Sequence, residues 1–485
     1  MRERRQSGRD HFWLAALLVL AAALRLPGLN APLWFDEIVT IQTHLTLPWA
    51  EMMQDYSMNH HYLFSLQSKA AAALFGMEIW AIRLPAFLFG VATVGAIWWL
   101  ARQVAGPVTA HLAGFLTAIS YHQVWFSQNA RGYTELAFWS TLGMILFLRG
   151  METPRRAVWI GYGVTLAAAV CTHLTGAFFF AAQGLVWLGA VIWLAARGRL
   201  GRGQVGLPLL GYVLGAALTL AFYAPVLPGV LETVQTVSGT SAVDVMQEYQ
   251  NPLWTVVEGV RTALGGTGRL APFLAAAAAL TALVGIAATQ ARAPLFAPVV
   301  VVHIALTIGL LTAVGMRVWP RFFFADIGFL TILAFCGASV IAGALARGVG
   351  RPQAGGGLFA VLVVGMIGVS ALLLPRNYTM PKQDLAGAYS FVEATRREGE
   401  RVISVGYSGP IFTGFFGADW GNVNAPEEYA QAMAAPGPVA VVVPFPERSF
   451  RAIPALDEEL GESLRIERIL RGTLGDGNII VLRRD

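Results

Sequence analysis

Two adjacent carboxylates, Asp36 and Glu37, are the first residues along the chain with the potential for acid–base chemistry. They lie in the stretch LWFDEIVTIQTH, shortly after an apolar run that ends near Leu26. A charge at the centre of a bilayer costs about 2.5–3.5 kcal/mol, and a position at the mouth of a span avoids that cost. The flanking Trp34 and Phe35 are of the type that holds a segment at the headgroup level. The pair is therefore either a solvated loop pair or a pair of catalytic acids held at a membrane boundary.

Two histidines, His60 and His61, close the same loop. A histidine near a carboxylate can orient it, ligate a metal ion together with it, or cap a helix. A divalent metal ion is therefore a possible cofactor, with Glu37, His60 and His61 as candidate ligands. The alternative is that these side chains only form hydrogen bonds.

Three arginines are candidates for binding an anion. Arg131 enters a predicted span in WFSQNARGYTELAFW, and Glu135 follows one helical turn later, so an ion pair within the helix is one explanation for it. Arg317 and Arg321 lie in GMRVWPRFFFADIGF. A cluster of these arginines would attract a phosphate group, because guanidinium groups bind phosphate through charged hydrogen bonds. The alternative is that each arginine is only an interfacial anchor.

Three further observations concern these segments and one other. The nearest acid after Arg321 is Asp326, five residues on, which misses the spacing that lets helix neighbours meet. We therefore expect Arg321 to bind something other than Asp326. Tyr133, two residues after Arg131 in the same segment, is a further candidate for substrate binding. His173, in CTHLTG, lies at a turn between two apolar runs and is either a packing residue or a functional one.

The composition identifies an integral membrane protein. Of the 485 residues, 56% are hydrophobic and 13% are charged, and the mean hydropathy is +0.58. A water-soluble domain does not have this balance. Apolar runs close to the roughly 20 residues that cross a bilayer predict about eleven spanning helices. The runs begin near residues 12, 81, 107, 133, 157, 175, 205, 271, 293, 322 and 356.

The distribution of arginine sets the predicted orientation, because basic loops are retained in the cytoplasm. The N-terminus, with Arg2, Arg4, Arg5 and Arg9, is predicted to be cytoplasmic, and later basic loops fall on the same side. The candidate residues above then lie outside the cytoplasm, as does the C-terminal tail. We therefore expect a multi-pass protein of the cytoplasmic (inner) membrane, in contact with membrane lipids. The net charge of +5 follows from the cytoplasmic arginines and does not indicate nucleic-acid binding.

The composition changes near Pro375, where the last apolar run ends. We predict a membrane domain at residues 1–375, with a first outer loop at 30–80, and a small extracytoplasmic α/β domain at 376–485. In the second domain QDLAGAYSFVEATRREG is typical of an amphipathic helix, and RVISVGY, VAVVVPF and NIIVLRR are typical of buried strands. This domain has no nucleotide-binding or nucleophile motif, so we expect it to be structural or an accessory to acceptor binding.

Six stretches together resemble the GT-C membrane glycosyltransferases, in particular the bacterial family 39 type related to protein O-mannosyltransferases and to the aminoarabinose transferase of lipid A. The resemblance covers roughly residues 26–326. It is carried by RLPGLNAPLWFDE, NHHYLFSLQSKAAAALFG, AIRLPAFLFGVATV, WFSQNARGYTELAF, CTHLTG and PRFFFADIGF. One departure is that the family often has His-Pro-Pro where this chain has His60, His61 and Tyr62.

The resemblance implies a mostly α-helical membrane protein of the GT-C fold. Such a protein transfers a sugar from a polyprenyl-phosphate carrier to an acceptor outside the cytoplasmic membrane, the acceptor being a lipid, a glycan or a protein. The resemblance also implies that Asp36, as the acid of the first outer loop, is catalytic. Inversion at the sugar carbon needs a base for the acceptor's proton, and the charge that develops on a lipid phosphate needs fixed donors. Arg131 and Arg321, with Arg317 behind them, are the candidates for this second role.

Two other classes of protein fit part of the pattern. A transporter or flippase for lipid-linked sugars or polysaccharides would also be polytopic with a basic outer site, but it should show inverted repeats or broken helices near the midplane. The sequence contains no clear internal repeat. A non-catalytic assembly protein would explain the tail but not the Asp, His and Arg residues at the outer mouths.

Overall fold

The computed structural model describes residues 2–57, 60–237 and 251–485. The positions of the apolar runs also predict an outer loop at residues 224–270, and part of this loop lies outside the described residues. The helices up to residue 152 are α1 (Arg2–Arg25), α2 (Phe35–Thr40), α3 (Trp49–Met52), α4 (Tyr62–Phe75), α5 (Ile79–Ala105), α6 (Pro107–Ile119), α7 (Tyr121–Ser127) and α8 (Tyr133–Glu152). The next helices, up to residue 379, are α9 (Arg156–Thr172), α10 (Gly176–Ala196), α11 (Gly203–Tyr223), α12 (Leu227–Val237), α13 (Pro252–Ala263), α14 (Ala271–Thr289), α15 (Phe296–Ala313), α16 (Asp326–Gly348), α17 (Gly355–Leu373) and α18 (Arg376–Thr379).

Each predicted span coincides with one of these helices. In the described part of the chain, seven helical segments are long and apolar enough to cross a membrane, namely those that contain α5, α10, α11, α14, α15, α16 and α17. The other four predicted spans are the shorter apolar helices α6 and α9 and the helices α1 and α8, which carry charged residues near their ends. The prediction of a mostly helical, polytopic membrane protein is confirmed.

One close helix crossing in the bundle is formed by small residues. Gly337 in α16 lies against the backbone of α14 at Thr281 and Gly285, and Gly285 lies against the backbone of Leu333. In lipid, such small residues let two helix backbones approach each other closely. A Cβ atom at either glycine would overlap a carbonyl oxygen of the facing helix. This crossing therefore requires glycine at both positions.

The long helix α5 connects two polar ends of the bundle. It has 27 residues and therefore measures about 40 Å. Near its start Arg83 is bonded to Glu37 of the predicted first outer loop. Near its end Arg102 is paired with Asp10 of the N-terminal segment. The two segments that were predicted to lie on opposite sides of the membrane are thus at opposite ends of one spanning helix.

A five-stranded sheet forms the C-terminal part of the chain. Its strands are β1 (Arg401–Val405), β2 (Gly421–Val423), β3 (Val439–Pro444), β4 (Arg465–Leu470) and β5 (Ile479–Arg484). Its helices are α19 (Leu385–Thr395), α20 (Gly409–Gly414), α21 (Pro426–Ala434), α22 (Pro446–Ala452) and α23 (Ala455–Glu458). The strand order is β2-β1-β3-β5-β4, with β1 parallel to β2 and β3, and β5 antiparallel to β3 and β4. The predicted helix and the three predicted strands are confirmed as α19, β1, β3 and β5, whereas β2 and β4 were not predicted.

One hydrophobic cluster joins this sheet to the first outer loop. It contains Ile38 and Ile41 from the loop, and Phe412, Trp420 and Val442 from the C-terminal part. Hydrogen bonds to α7 and the turn after it reinforce the junction. These run from Trp125 Nε1 to Thr473 Oγ1 (3.0 Å), from Lys382 Nζ to the Gln128 carbonyl (2.6 Å) and from Asn377 Nδ2 to the Tyr121 carbonyl (3.0 Å). The predicted boundary at residue 375 stays a prediction, and the chain on either side of it shares one core.

We predict that Gly337→Ala destabilises the helix bundle. The added methyl group would overlap the Thr281 carbonyl oxygen, and overpacking of this kind costs about 1–3 kcal/mol. The measurement is thermal unfolding of the purified protein in detergent. Gly365→Ala in α17 is the matched control, because nothing lies within 4 Å of the position of its Cβ and alanine is the better helix former. Equal melting temperatures for the two variants would contradict the close crossing.

Candidate active site

The two adjacent carboxylates lie in the first turn of the short helix α2. Negative charges in the first turn of a helix are favoured by the helix dipole, and the Glu37 carboxylate also accepts a hydrogen bond from the Trp34 backbone N–H (3.3 Å). Successive residues of a helix point about 100° apart, since 3.6 residues complete one turn. Asp36 and Glu37 therefore face different surroundings.

Glu37 is fully buried and forms a bidentate ion pair with Arg83. Arg83 Nε donates to Oε1 and Nη2 donates to Oε2, each over 2.7 Å. The Ala130 backbone N–H also donates to Oε1 (2.6 Å). The prediction of Glu37 as a catalytic residue or metal ligand does not fit this environment, because its carboxylate oxygens are already held by Arg83 and by backbone donors.

Arg83 connects Glu37 to the segment between α1 and α2. Its Nη1 donates to the carbonyls of Leu29 (3.0 Å) and Ala31 (2.7 Å), and its Nη2 donates to that of Pro32 (3.2 Å). Burial alone would raise the pKa of the Glu37 carboxyl, but the charge and hydrogen bonds of Arg83 hold that pKa below its ordinary value. The pair is therefore ionised and fixes the backbone on both sides of Asp36.

Asp36 faces two of the predicted arginines. Its side chain is 14% exposed, and Oδ2 lies 3.2 Å from Nη1 of Arg321 and 4.0 Å from Nη2 of Arg131. Arg131 is 3% exposed, and its Nη1 donates to Thr40 Oγ1 in α2 (3.1 Å). The structure thus brings together an acid and two arginines from three segments that are far apart in sequence.

The alternative partners considered for these arginines are engaged elsewhere. Oε1 of Glu135 accepts hydrogen bonds from Gln67 Nε2 (2.7 Å) and Trp139 Nε1 (3.1 Å). Asp326 is buried and bonded to His303 Nδ1 (2.9 Å). The explanation of Arg131 as one half of an ion pair with Glu135 is therefore replaced by its approach to Asp36. Arg317 is half-buried in the segment that precedes the 3₁₀ turn Pro320–Phe323.

His61, His173 and Tyr133 form an aromatic wall next to the arginines. The His61 ring lies 4.6 Å from that of His173 and 5.0 Å from that of Tyr133, and His61 Nδ1 accepts the Gly132 backbone N–H (2.9 Å). Burial and the charge of Arg131 lower the pKa of His61 well below its ordinary value, and the same causes lower the pKa of His173 to about 3. Both imidazoles are therefore neutral near pH 7.

His60 lies apart from this wall, in a stack with His44. The two rings are nearly parallel and 3.9 Å apart, and His60 also lies 3.8 Å from the Tyr62 ring. Burial lowers the pKa of His60 to about 3 and that of His44 to about 4. His44 was missed in the sequence, although it ends the quoted stretch LWFDEIVTIQTH.

The candidate metal ligands are not gathered into one site. In the described residues no group of three or more His, Cys, Asp or Glu side chains is placed to hold a metal ion. Glu37, one of the three predicted ligands, is held by Arg83 instead. The donor set predicted from the sequence therefore does not fit a divalent metal ion.

Arg83 is the functional residue that sequence reasoning most clearly missed. It lies in AIRLPAFLFG, at the start of a predicted span, where an arginine is commonly an interfacial anchor. The structure shows that Arg83 is completely buried, and a buried arginine needs an acid partner. That partner, Glu37, is separated from it by 46 positions.

The helical bundle is similar in fold to GT-C membrane proteins of known structure. Residues 60–228 match the sequence profile of the dolichyl-phosphate-mannose-protein mannosyltransferase family. The matched region is less than half of the chain. No curated protein sequence matches the chain significantly. The match confirms the resemblance to family 39 that the sequence motifs indicated.

Solved structures of similar fold cover almost the whole chain. ArnT from Cupriavidus metallidurans in the apo state has 14% sequence identity and a TM-score of 0.50, over 99% of this chain and 98% of that one. The same protein bound to undecaprenyl phosphate has 16% identity and a TM-score of 0.51, over 98% of each chain. The Archaeoglobus fulgidus oligosaccharyltransferase in complex with Zn and sulfate has 14% identity and a TM-score of 0.50, over 89% of this chain and 68% of that one. At these identities the matches establish the fold.

We predict that Glu37→Gln strongly destabilises the protein. Removing one partner of a buried ion pair costs about 3–5 kcal/mol, because the other charge is left unpaired. The measurement is thermal or denaturant unfolding, with Glu51→Gln as the control, since Glu51 is an exposed acid of the same loop. An equally small effect of both substitutions would contradict a fixing role for Glu37.

The same pair predicts a dependence of stability on pH. The pKa of Glu37 is held by Arg83 below the ordinary value of 4.5. Its stabilising contribution is therefore complete above about pH 4.5 and is lost as the pH falls through the folded-state pKa. Part of the acid destabilisation of the wild type should be absent from Glu37→Gln. Melting temperatures of both proteins measured from pH 7 down to about pH 3 would show this difference below about pH 4.5.

Proposed function

We propose that the protein is an integral membrane glycosyltransferase that transfers a sugar from a polyprenyl-phosphate donor to an acceptor at the outer face of the cytoplasmic membrane. The observation that carries this proposal is the contact of Asp36 with Arg321 and the approach of Arg131 at one end of the helix bundle. The match to the mannosyltransferase family and the similarity to ArnT support it. The N-terminus is then cytoplasmic and the C-terminal sheet extracytoplasmic.

Asp36 is the general base in this proposal. The side chain of Asp36 is largely buried and lies in the first turn of α2. The next residue of this helix, Glu37, is fixed by its ion pair with Arg83. Asp36 accepts the proton of an acceptor hydroxyl while that oxygen forms a bond to the anomeric carbon of the sugar. The bond from this carbon to the phosphate oxygen breaks, and the polyprenyl phosphate leaves with the electron pair. A single displacement of this kind inverts the configuration at the sugar carbon.

Arg131 and Arg321 stabilise the leaving phosphate. Two guanidinium groups within 4.0 Å of the same carboxylate oxygen form a compact cationic site next to the base. Fixed donors of this kind are effective where negative charge develops, since they need no reorganisation during the reaction. The undecaprenyl phosphate bound to ArnT is the type of carrier that such a site suits. Arg317, four residues before Arg321 in the sequence, is a further candidate contributor to the positive potential of the site.

The aromatic wall of His61, His173 and Tyr133 is assigned to the sugar. Neutral imidazoles can donate and accept hydrogen bonds without adding to the positive charge of the site. His61 Nε2 is buried and has no hydrogen-bond partner among the described residues, so a sugar hydroxyl would satisfy it. His60, in the neighbouring stack with His44, is a further candidate for substrate binding. The identity of the sugar and of the lipid, glycan or protein acceptor depends on this pocket.

We predict that Asp36→Asn abolishes transfer but leaves the protein folded in the membrane. An amide cannot accept the acceptor's proton, so the rate should fall about 100- to 10,000-fold. The measurement is transfer of labelled sugar from polyprenyl-phosphate donors to a cell-envelope extract, with Glu51→Gln as the control. Transfer at the wild-type rate by Asp36→Asn would refute the assignment. Donor binding without transfer by the wild type would favour a transporter.

We predict that Arg321→Met weakens binding of undecaprenyl phosphate by about 10- to 100-fold, the value expected for the loss of one charged hydrogen bond. The measurement is a binding titration with the purified protein in detergent. Arg269→Met is the control, because Arg269 is exposed and is not placed at the site. If both variants bind the carrier equally well, Arg321 does not contact its phosphate.

A further inference from the structure

The candidate site is part of a closed ring of contacts that includes the C-terminal domain. The ring consists of Asp36, Arg321, Trp319, Arg448, Phe445 and Phe35, of which the last is covalently linked to Asp36. Two of its members, Phe445 and Arg448, come from the segment that follows strand β3. The soluble domain therefore reaches the acid and the arginine of the site from two directions.

The Trp319 ring is close to two guanidinium groups. The guanidinium carbon of Arg321 lies 4.7 Å from the centroid of the Trp319 ring, and that of Arg448 lies 5.9 Å from it. Both distances are within the range of about 6 Å over which a cation interacts with an aromatic face. The position of the Arg321 side chain is therefore linked to Arg448 through one aromatic ring.

The second half of the ring joins Arg448 to the segment that carries Asp36. The Arg448 guanidinium lies 5.0 Å from the Phe445 ring, and the Phe445 ring meets the Phe35 ring edge to face with a centroid distance of 5.5 Å. Phe35 is the first residue of α2. Displacement of Phe445 would therefore act on the residue next to the base.

The backbone around Arg448 is held in an uncommon conformation. In the described part of the chain two non-glycine residues have positive φ, Phe445 (50°) and Asp476 (53°), and both support this segment. The Asp476 carboxylate accepts the backbone N–H groups of Glu447 (2.9 Å) and Arg448 (3.3 Å), and its Oδ2 lies 3.8 Å from Arg448 Nε. Conformations of this kind persist only when the surrounding structure enforces them, and they cluster at functional sites.

The backbone next to Trp319 is fixed independently of Arg448. Thr255 Oγ1 in α13 donates to the Val318 carbonyl (2.8 Å). A substitution at Arg448 would therefore leave the path of this segment in place and act on the orientation of the Trp319 and Arg321 side chains. This separates a positioning effect from a general loss of structure.

We propose that Arg448 of the C-terminal domain is a positioning residue, which orients Arg321 through Trp319 for the transfer reaction. The inference rests on the proposed function of Arg321. It gives the domain a defined part in the reaction: it completes the site instead of only covering it. A sugar donor that enters from the membrane then meets an arginine whose orientation depends on the extracytoplasmic domain.

A double-mutant cycle on the full-length protein tests this proposal. The variants are Arg448→Met, Trp319→Leu and the double substitution, with Arg465→Met as the control, because Arg465 forms its ion pairs on the exposed strand β4. We expect Arg448→Met to lower kcat for sugar transfer about tenfold and to leave the KM for the acceptor unchanged. Because Arg448 acts through Trp319, the substitution should have little further effect in the Trp319→Leu background. Arg448→Lys should restore part of the rate, since an ammonium group also interacts with the ring face.

The same cycle is also measured by thermal unfolding, which does not depend on the reaction. Coupling between Arg448 and Trp319 in the melting temperatures would establish the contact between these two side chains. If the wild type transferred no sugar, the proposed function would fail, but a measured coupling would still support the contact. Additive effects in both measurements, or wild-type transfer by Arg448→Met, would overturn the proposal.

Discussion

The buried ion pair of Glu37 and Arg83 is the interaction on which the candidate site depends. It ties α2 to α5, and its hydrogen bonds extend to the carbonyls before α2 and to the Ala130 N–H before α8. A buried pair of this kind gains little net stability over apolar residues, because both charges lose their hydration. Its value is that it permits one arrangement of three segments. In that arrangement Asp36 faces Arg131 and Arg321.

Asp36 and Glu37 are neighbours in the sequence but have different roles, because successive side chains of a helix point in different directions. Glu37 points into the protein, where donors on every side neutralise it. Asp36 points toward the mouth of the bundle and keeps a partly exposed carboxylate beside two arginines. A strand would also place the two side chains on opposite faces, but it would not offer the helix N-terminus that favours both charges.

The parts of the structure that depend on local pattern could be predicted from the sequence, and the parts that depend on distant pairing could not. Apolar runs predicted the spanning helices, and the buried strand β3 was recognisable from its valines. Strand β4 was not, because its first five residues are exposed and lack alternation. Asp36, Arg131 and Arg321 were selected by residue type and predicted side. The ion pair of Arg83 and Glu37 joins residues that are 46 positions apart. Periodicity does not reveal a pairing over such a separation.

The C-terminal domain was the least informative part of the sequence, and its contacts explain why. It carries no catalytic motif, and its connection to the site uses an arginine and an aromatic residue, Arg448 and Phe445, whose significance is evident only beside Trp319 and Phe35. One hydrophobic cluster runs from this domain into the first outer loop. Movement of the domain relative to the bundle would therefore expose apolar surface and is opposed by the hydrophobic effect. The C-terminal part of the chain and the bundle therefore pack as one unit beside the candidate site.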